Sequence, residues 1–156
     1  MRKRIISSSA QKETATLQNW LDIEELVEVE VSSEDESHPV ECALLPGNDS
    51  GWRAAESGEQ TIRLIFSHPQ RIQQIMLEFV ETGLTRTQQY VLRYSAEGGP
   101  LQEIVRQQWN FSPDGAASEI EHHHVALAAV KTLELTIIPD ISGGNACASL
   151  KQLRIA

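Results

Sequence analysis

An antiparallel β-sandwich of the jelly-roll kind is what this sequence predicts, on three observations. Eight short segments alternate apolar and polar residues, which is the period of a half-buried strand. Stretches rich in Gly, Pro, Ser and Asp separate them and supply the turns. At 156 residues, with 40% hydrophobic and 22% charged residues, the chain is one domain by length and can bury a core without disulfides or metal.

Residues 1–10, MRKRIISSSA, read as a loose tail with a basic start and no apolar run of signal-peptide length behind it. No stretch approaches membrane-spanning length, so a cytoplasmic protein is expected. Between residues 11 and 25, Leu17, Trp20 and Leu21 stand at helical spacing. They predict a short N-terminal helix whose Trp20 packs on the main body or docks a partner. The expected division is a tail and helix over residues 1–25, then a sandwich domain over residues 26–156.

The first strand is expected at residues 26–31, LVEVEV, with Val27, Val29 and Val31 inward. A long acidic, turn-rich loop leads to GWRAAESGEQTIRLIF, whose end, residues 61–66, sets Ile62, Leu64 and Phe66 against Arg63 as a second strand. After a tight Ser-His-Pro-Gln link, residues 72–81 form a third, with Ile75, Leu77 and Phe79 on one face. A fourth covers residues 89–95 with Tyr90, Leu92 and Tyr94 inward, and a fifth residues 101–111. The last three are expected at residues 119–125, 131–138 and 150–155. If successive strands alternate in direction, loops 32–60, 82–88, 112–118 and 139–149 emerge at one end of the sandwich and the short links 67–70, 96–100 and 126–130 at the other. Long loops gathered at one end of a rigid sandwich are where binding surfaces are usually built.

The ordered series GWRAAESGEQTIRLIF, RIQQIMLEF, RTQQYVLRYSAEGG, EIVRQQWNFSP, LELTIIPD and ASLKQLRIA resembles the discoidin, or coagulation factor 5/8 type C, family of galactose-binding-like domains over about residues 27–156. That resemblance implies a non-catalytic binding module whose loops at one end take glycans, lipid head groups or proteins. A domain of the same architecture opens a DNA-repair scaffold, so the resemblance implies binding without naming the ligand. It also implies a calcium site before Trp52, where Asn48, Asp49 and Ser50 offer oxygen ligands. The closing strand, however, lacks the carboxylate that family members with the site often carry, and a plain turn at Pro46–Asn48 is the alternative.

A sugar site needs an apolar platform with a few fixed polar groups. The long-loop end supplies Arg86 and Asn110 with Trp109 close by, and Arg53, Glu81 and Asp49 complete the candidate set. Core packing is the competing role for Trp52 and Trp109, and an ion pair with Glu81 for Arg86. The triple histidine His122, His123 and His124 alternates faces on a strand. Two ligands on one face fall short of a zinc site, so core or solvated histidines are expected. Carboxylates crowd SSEDES, but a charge run reads as a solvated loop, and no GxSxG nucleophile elbow occurs. Cys42 and Cys147 make no disulfide framework and read as small buried residues, with a bridge between early and late strands left open. No enzyme and no cofactor other than calcium is expected. The leading expectation is a module for a carbohydrate or other small polar ligand, with a cytoplasmic protein-interaction module as the alternative. The net charge of −9 disfavours a nucleic acid partner.

Overall fold

Among the described residues, alternating apolar positions carry the chain through nine elements in order: β1 (Val27–Val31), α1 (Glu41–Leu44), β2 (Trp52–Ser57), β3 (Gln60–Val80), β4 (Arg86–Ser95), β5 (Gln102–Phe111), β6 (Ser118–Ile138), β7 (Cys147–Leu150) and β8 (Gln152–Ile155). The structure, a computed structural model, describes residues 20–47 and 50–156.

Two pairs of strands expected as separate are continuous. β3 covers the expected second and third strands, and β6 the sixth and seventh, at 21 residues each. The Ser-His-Pro-Gln segment is therefore a bend in β3, where the register against β6 shifts three times between Ile65 and Gln74. Pro69 has no N–H to give a ladder, so the strand bulges there while staying paired with β6 on either side. Each long strand then serves two layers. The first half of β3 pairs with β1 and with the second half of β6, and β4 and then β5 extend that layer. The second half of β3 pairs with β8 and with the first half of β6. Tyr90 of the first layer joins the second: its ring lies 5.2 Å from that of Phe79, and its hydroxyl is 2.8 Å from His123 Nε2. The jelly-roll sandwich is thus made by bending two strands.

The core follows the inward positions. Ile62, Leu64 and Phe66 face Leu133 and Leu135 within one layer, Ile75, Leu77 and Phe79 line the other, and all are buried. β2 and β7 lie where the sequence predicts loop. They pair only with each other, Trp52 against Leu150, and close one end of the core. Trp52 is a core residue whose indole N–H donates to Ser33 O at 3.0 Å.

The N-terminal helix is corrected where it can be seen. Residues 11–19 lie outside the described residues, and 20–25 are bend and turn. Leu21 N–H donates to Ile155 O at 2.7 Å, laying the segment along β8 and drawing it out of helical hydrogen bonding. The described helix is instead α1, inside the long loop. Arg154 holds it from β8, donating to Ala43 O at 3.0 Å and Leu45 O at 3.3 Å, carbonyls that a helix end leaves unpaired. Cys42 and Cys147 are both free thiols, each half-buried. No described helix is long and apolar enough to cross a membrane.

Loop lengths predicted one crowded end, and backbone hydrogen bonds assemble it. Glu81 N–H donates to Ala117 O and Ile141 N–H to Thr87 O, so the loops after β3, β5 and β6 meet. On the same layer edge Gly51 turns the chain into β2 with φ +74°, where a Cβ would stand 2.8 Å from Leu150 O. Gly51→Ala is expected to destabilise by roughly 1–3 kcal/mol, the order of cost of a strained backbone residue. Urea denaturation checks it: an unchanged midpoint would show that β2 and β7 can shift apart at no cost.

Candidate functional site

At the loop end β4 and β5 present alternate residues to opposite faces. Arg86, Gln88, Trp109 and Phe111 point inward, while Thr87 and Asn110 point outward. Trp109 and Asn110, expected side by side in a sugar site, therefore stand on opposite faces of one strand. Asn110 is exposed and its Oδ1 accepts from Thr87 Oγ1 at 2.6 Å.

Arg86 is 1% exposed and committed to this chain's own groups. Its Nε donates to Glu81 Oε1 at 2.7 Å, its Nη1 to Pro139 O at 2.6 Å and Gln88 Oε1 at 3.3 Å, and its guanidinium lies 4.7 Å from the Phe111 ring centre. The ion pair weighed as the alternative role is present. Burial pushes the Glu81 carboxyl up, but the hydrogen bonds from Arg86 and from the Gly83 and Leu84 backbone outweigh it and hold the group below its ordinary value. One carboxylate and one guanidinium thereby brace the loops after β3 and β6.

The other expected residues fall elsewhere at this end. Asn48 and Asp49 lie outside the described residues. Ser50 and Arg53 come together with His38, Lys151 and Ser149 around a polar pocket of about 180 Å³ floored by Trp52, Val80 and Leu150. Trp52 lies too deep to offer its ring face. Among the described residues every aromatic side chain is buried or half-buried, so none makes an exposed stacking platform.

A second concavity was not foreseen. On the outer face of the first layer, β3, β6, β4 and β5 form a groove of about 270 Å³. Val91 and Ile138 lie in its floor, with Gln89, Arg93 and Arg106 toward β5. Glu134 is held by Arg63 through Nε at 3.0 Å and Nη2 at 2.8 Å, while Arg63 Nη1 reaches Glu30 at 2.7 Å. Arg93 comes only within 3.6 Å of Glu134, which leaves most of its donors open.

Between the layers lies a buried polar cluster. Glu119, Glu121 and His123 follow one another on the inward face of β6, with Tyr90 across from them on β4. Both carboxyl oxygens of Glu119, Trp109 Nε1 and Gln88 Nε2 are buried without a hydrogen-bond partner. Burial first, then the neighbouring Glu121 carboxylate, push the Glu119 carboxyl up to about 8. Burial, then the same two carboxylates, push the Tyr90 phenol up. His123 is lowered by burial, against the raising charge of Glu121. His123 is thus half-buried inside the sandwich, as the alternation of the triple histidine requires, and among the described residues no cluster of metal ligands occurs.

These features define a galactose-binding-like β-sandwich of the kind that binding modules use. The XRCC1 N terminal domain family matches residues 21–125, and the chain belongs to that family. Among solved structures, the family 32 carbohydrate-binding module of Clostridium perfringens NanJ in complex with galactose superposes with a TM-score of 0.65 at 14% identity, covering 87% of this chain and 96% of that one. The family 32 module of AlyQ in complex with 4,5-unsaturated mannuronic acid gives 0.62 at 21%, covering 88% and 97%. Reduced XRCC1 bound to the DNA polymerase β catalytic domain gives 0.59 at 14%, covering 84% and 96%. At these identities the likeness is one of fold. No curated protein matches the chain in sequence.

Two stability measurements follow. Arg86→Ala strands Glu81 half-enclosed and is expected to cost roughly 3–5 kcal/mol, as breaking a buried pair does; an effect below about 1 kcal/mol would mean that the pair is solvated. The Glu119 carboxyl is raised by folding, so the folded state holds its proton more tightly. Its contribution is full below the ordinary carboxyl value of 4.5 and is lost as pH rises toward about 8. Glu119→Gln should flatten the fall in stability between those limits in urea denaturation, and an unchanged pH profile would show the carboxyl to be solvated.

Proposed function

We propose that this chain is a non-catalytic protein-docking module, and that the groove on the outer face of its first layer is the docking surface. The observation that carries the reading is Arg93, standing with open donors beside the Val91 and Ile138 floor. An apolar floor flanked by an arginine is the composition of an interface hot spot. A sugar would need a stacking ring, and among the described residues no aromatic side chain is exposed. Family membership supports the same reading, since XRCC1, the protein that gives the family its name, binds the DNA polymerase β catalytic domain in its solved structure. The net charge of −9 argues against nucleic acid, and a cytoplasmic location goes with this proposal.

One observation favours a second reading. The polar pocket around Arg53, His38 and Ser50 lies at the loop end expected to bind a small ligand, and neighbours of the same fold hold galactose and 4,5-unsaturated mannuronic acid.

A photo-crosslinking side chain placed at Gln89 in the full chain distinguishes them. A discrete polypeptide adduct in cells is expected, and Arg93→Glu should reduce it about tenfold, the loss of some 1.4 kcal/mol. Absence of an adduct removes the groove. Saturating galactose or mannuronic acid, at about 100 times its dissociation constant, would add roughly 2.7 kcal/mol to stability. A thermal shift of that size, abolished by Arg53→Ala, would establish the second reading instead.

A further inference from the structure

Residues 20–47 contain nine of the chain's 22 Asp and Glu residues and no Lys or Arg, leaving thirteen acids to balance the 13 Lys and Arg elsewhere. One segment therefore accounts for the whole net charge of −9. The fold wraps that segment around an apolar pocket of about 190 Å³. Ile23 and the half-buried Val27 and Val29 of β1 form one wall, and Val40, Leu44 and Leu45 form the other. Arg154 fixes the second wall through its hydrogen bonds to Ala43 O and Leu45 O, so the pocket is supported from β8. Exposed Glu24 and Glu41 stand among its lining residues, one beside each wall. Neither has an ion-pair partner among the described residues, whereas Glu30, further along β1, is taken by Arg63.

We infer that this pocket is a second docking site, separate from the sheet-face groove, and that it takes a basic polypeptide segment carrying an aliphatic anchor residue. The apolar walls fit the anchor, since burying aliphatic surface is favourable in proportion to its area. The carboxylates of Glu24 and Glu41 face flanking Lys or Arg, and the acidic field of the whole segment steers such a partner in while repelling nucleic acid and anionic membrane surfaces. Separating anchor from steering charge gives specificity: a purely cationic chain lacks the anchor and a purely apolar one lacks the attraction.

The test titrates a short peptide of alternating lysine and leucine into the full chain by isothermal calorimetry, beside a lysine and serine peptide of equal charge. Saturable binding of the first is expected, with the second at least about tenfold weaker and the affinity falling as ionic strength rises. Glu24→Lys with Glu41→Lys should lose at least about tenfold, while Glu97→Lys with Asp114→Lys, both exposed and outside the pocket, should bind as wild type. Val29→Phe, which fills the pocket without changing charge, should weaken the lysine and leucine peptide alone. Thermal unfolding of each variant confirms folding, and the charge-reversal pair carries the test if Val29→Phe unfolds. Equal binding of both peptides, or full affinity in the Glu24 and Glu41 double variant, would overturn the inference. A concentration-dependent dimer in analytical ultracentrifugation that the double variant abolishes would replace the external partner with a second copy, whose own start is MRKRII.

Discussion

The antiparallel ladder between β3 and β6 is the interaction on which the rest of the structure depends. It runs from Gln60 against Ile137 to Val80 against Ser118, and crosses from one layer to the other without leaving the pair. Because both strands bend at the same place, each strand that pairs with them takes one half of one of them. β1 and β4 take the first layer, β8 takes the second, and β5 follows β4. The bend also returns both ends of β3 to one end of the molecule. That is why Arg86 can reach Pro139 and why the loops meet where their lengths predicted.

What the sequence discloses and what it withholds divide along a physical line. Inward alternation is local, so Ile62, Leu64 and Phe66, and likewise Ile75, Leu77 and Phe79, could be placed on their faces from residue order alone. Whether two such runs are one strand or two is decided by a ladder some thirty-eight to seventy-seven residues away, and Pro69 reads locally as a break. β2 and β7 escaped notice because each buries only two residues, Trp52 and Ala54 in one and Ala148 and Leu150 in the other, too short a run for alternation to show. The site behaves the same way. Glu81 as the partner of Arg86 is five residues distant and was legible, whereas Pro139 is a neighbour only through the fold. The outer-face groove draws Arg63, Arg93 and Glu134 from three strands, and alternation says that they point outward without saying that they meet.

Charge is the exception, because it can be counted. Its concentration in residues 20–47 is a property of composition, and the fold adds only the pocket around which it is arranged. The domain thus presents two surfaces of different character. One is an arginine-flanked groove on the central sheet and the other a carboxylate-flanked pocket at its β1 edge. Their flanking charges are opposite, so each proposed docking surface would disfavour the other's ligand.

The long β3–β6 ladder also bears on how this chain is born. Contacts of such large sequence separation require closing long loops before any pairing rewards it, which slows folding relative to domains built from local contacts. β3 finds no ladder partner for its second half until β6 has been synthesised, and β8, ending at Ile155, completes that layer last. A nascent chain leaving the ribosome therefore carries the second half of β3 with its apolar residues and backbone edge exposed until β6 emerges. The second layer closes only once β8 has been made, and the yield in a cell depends on what shields β3 in the interval.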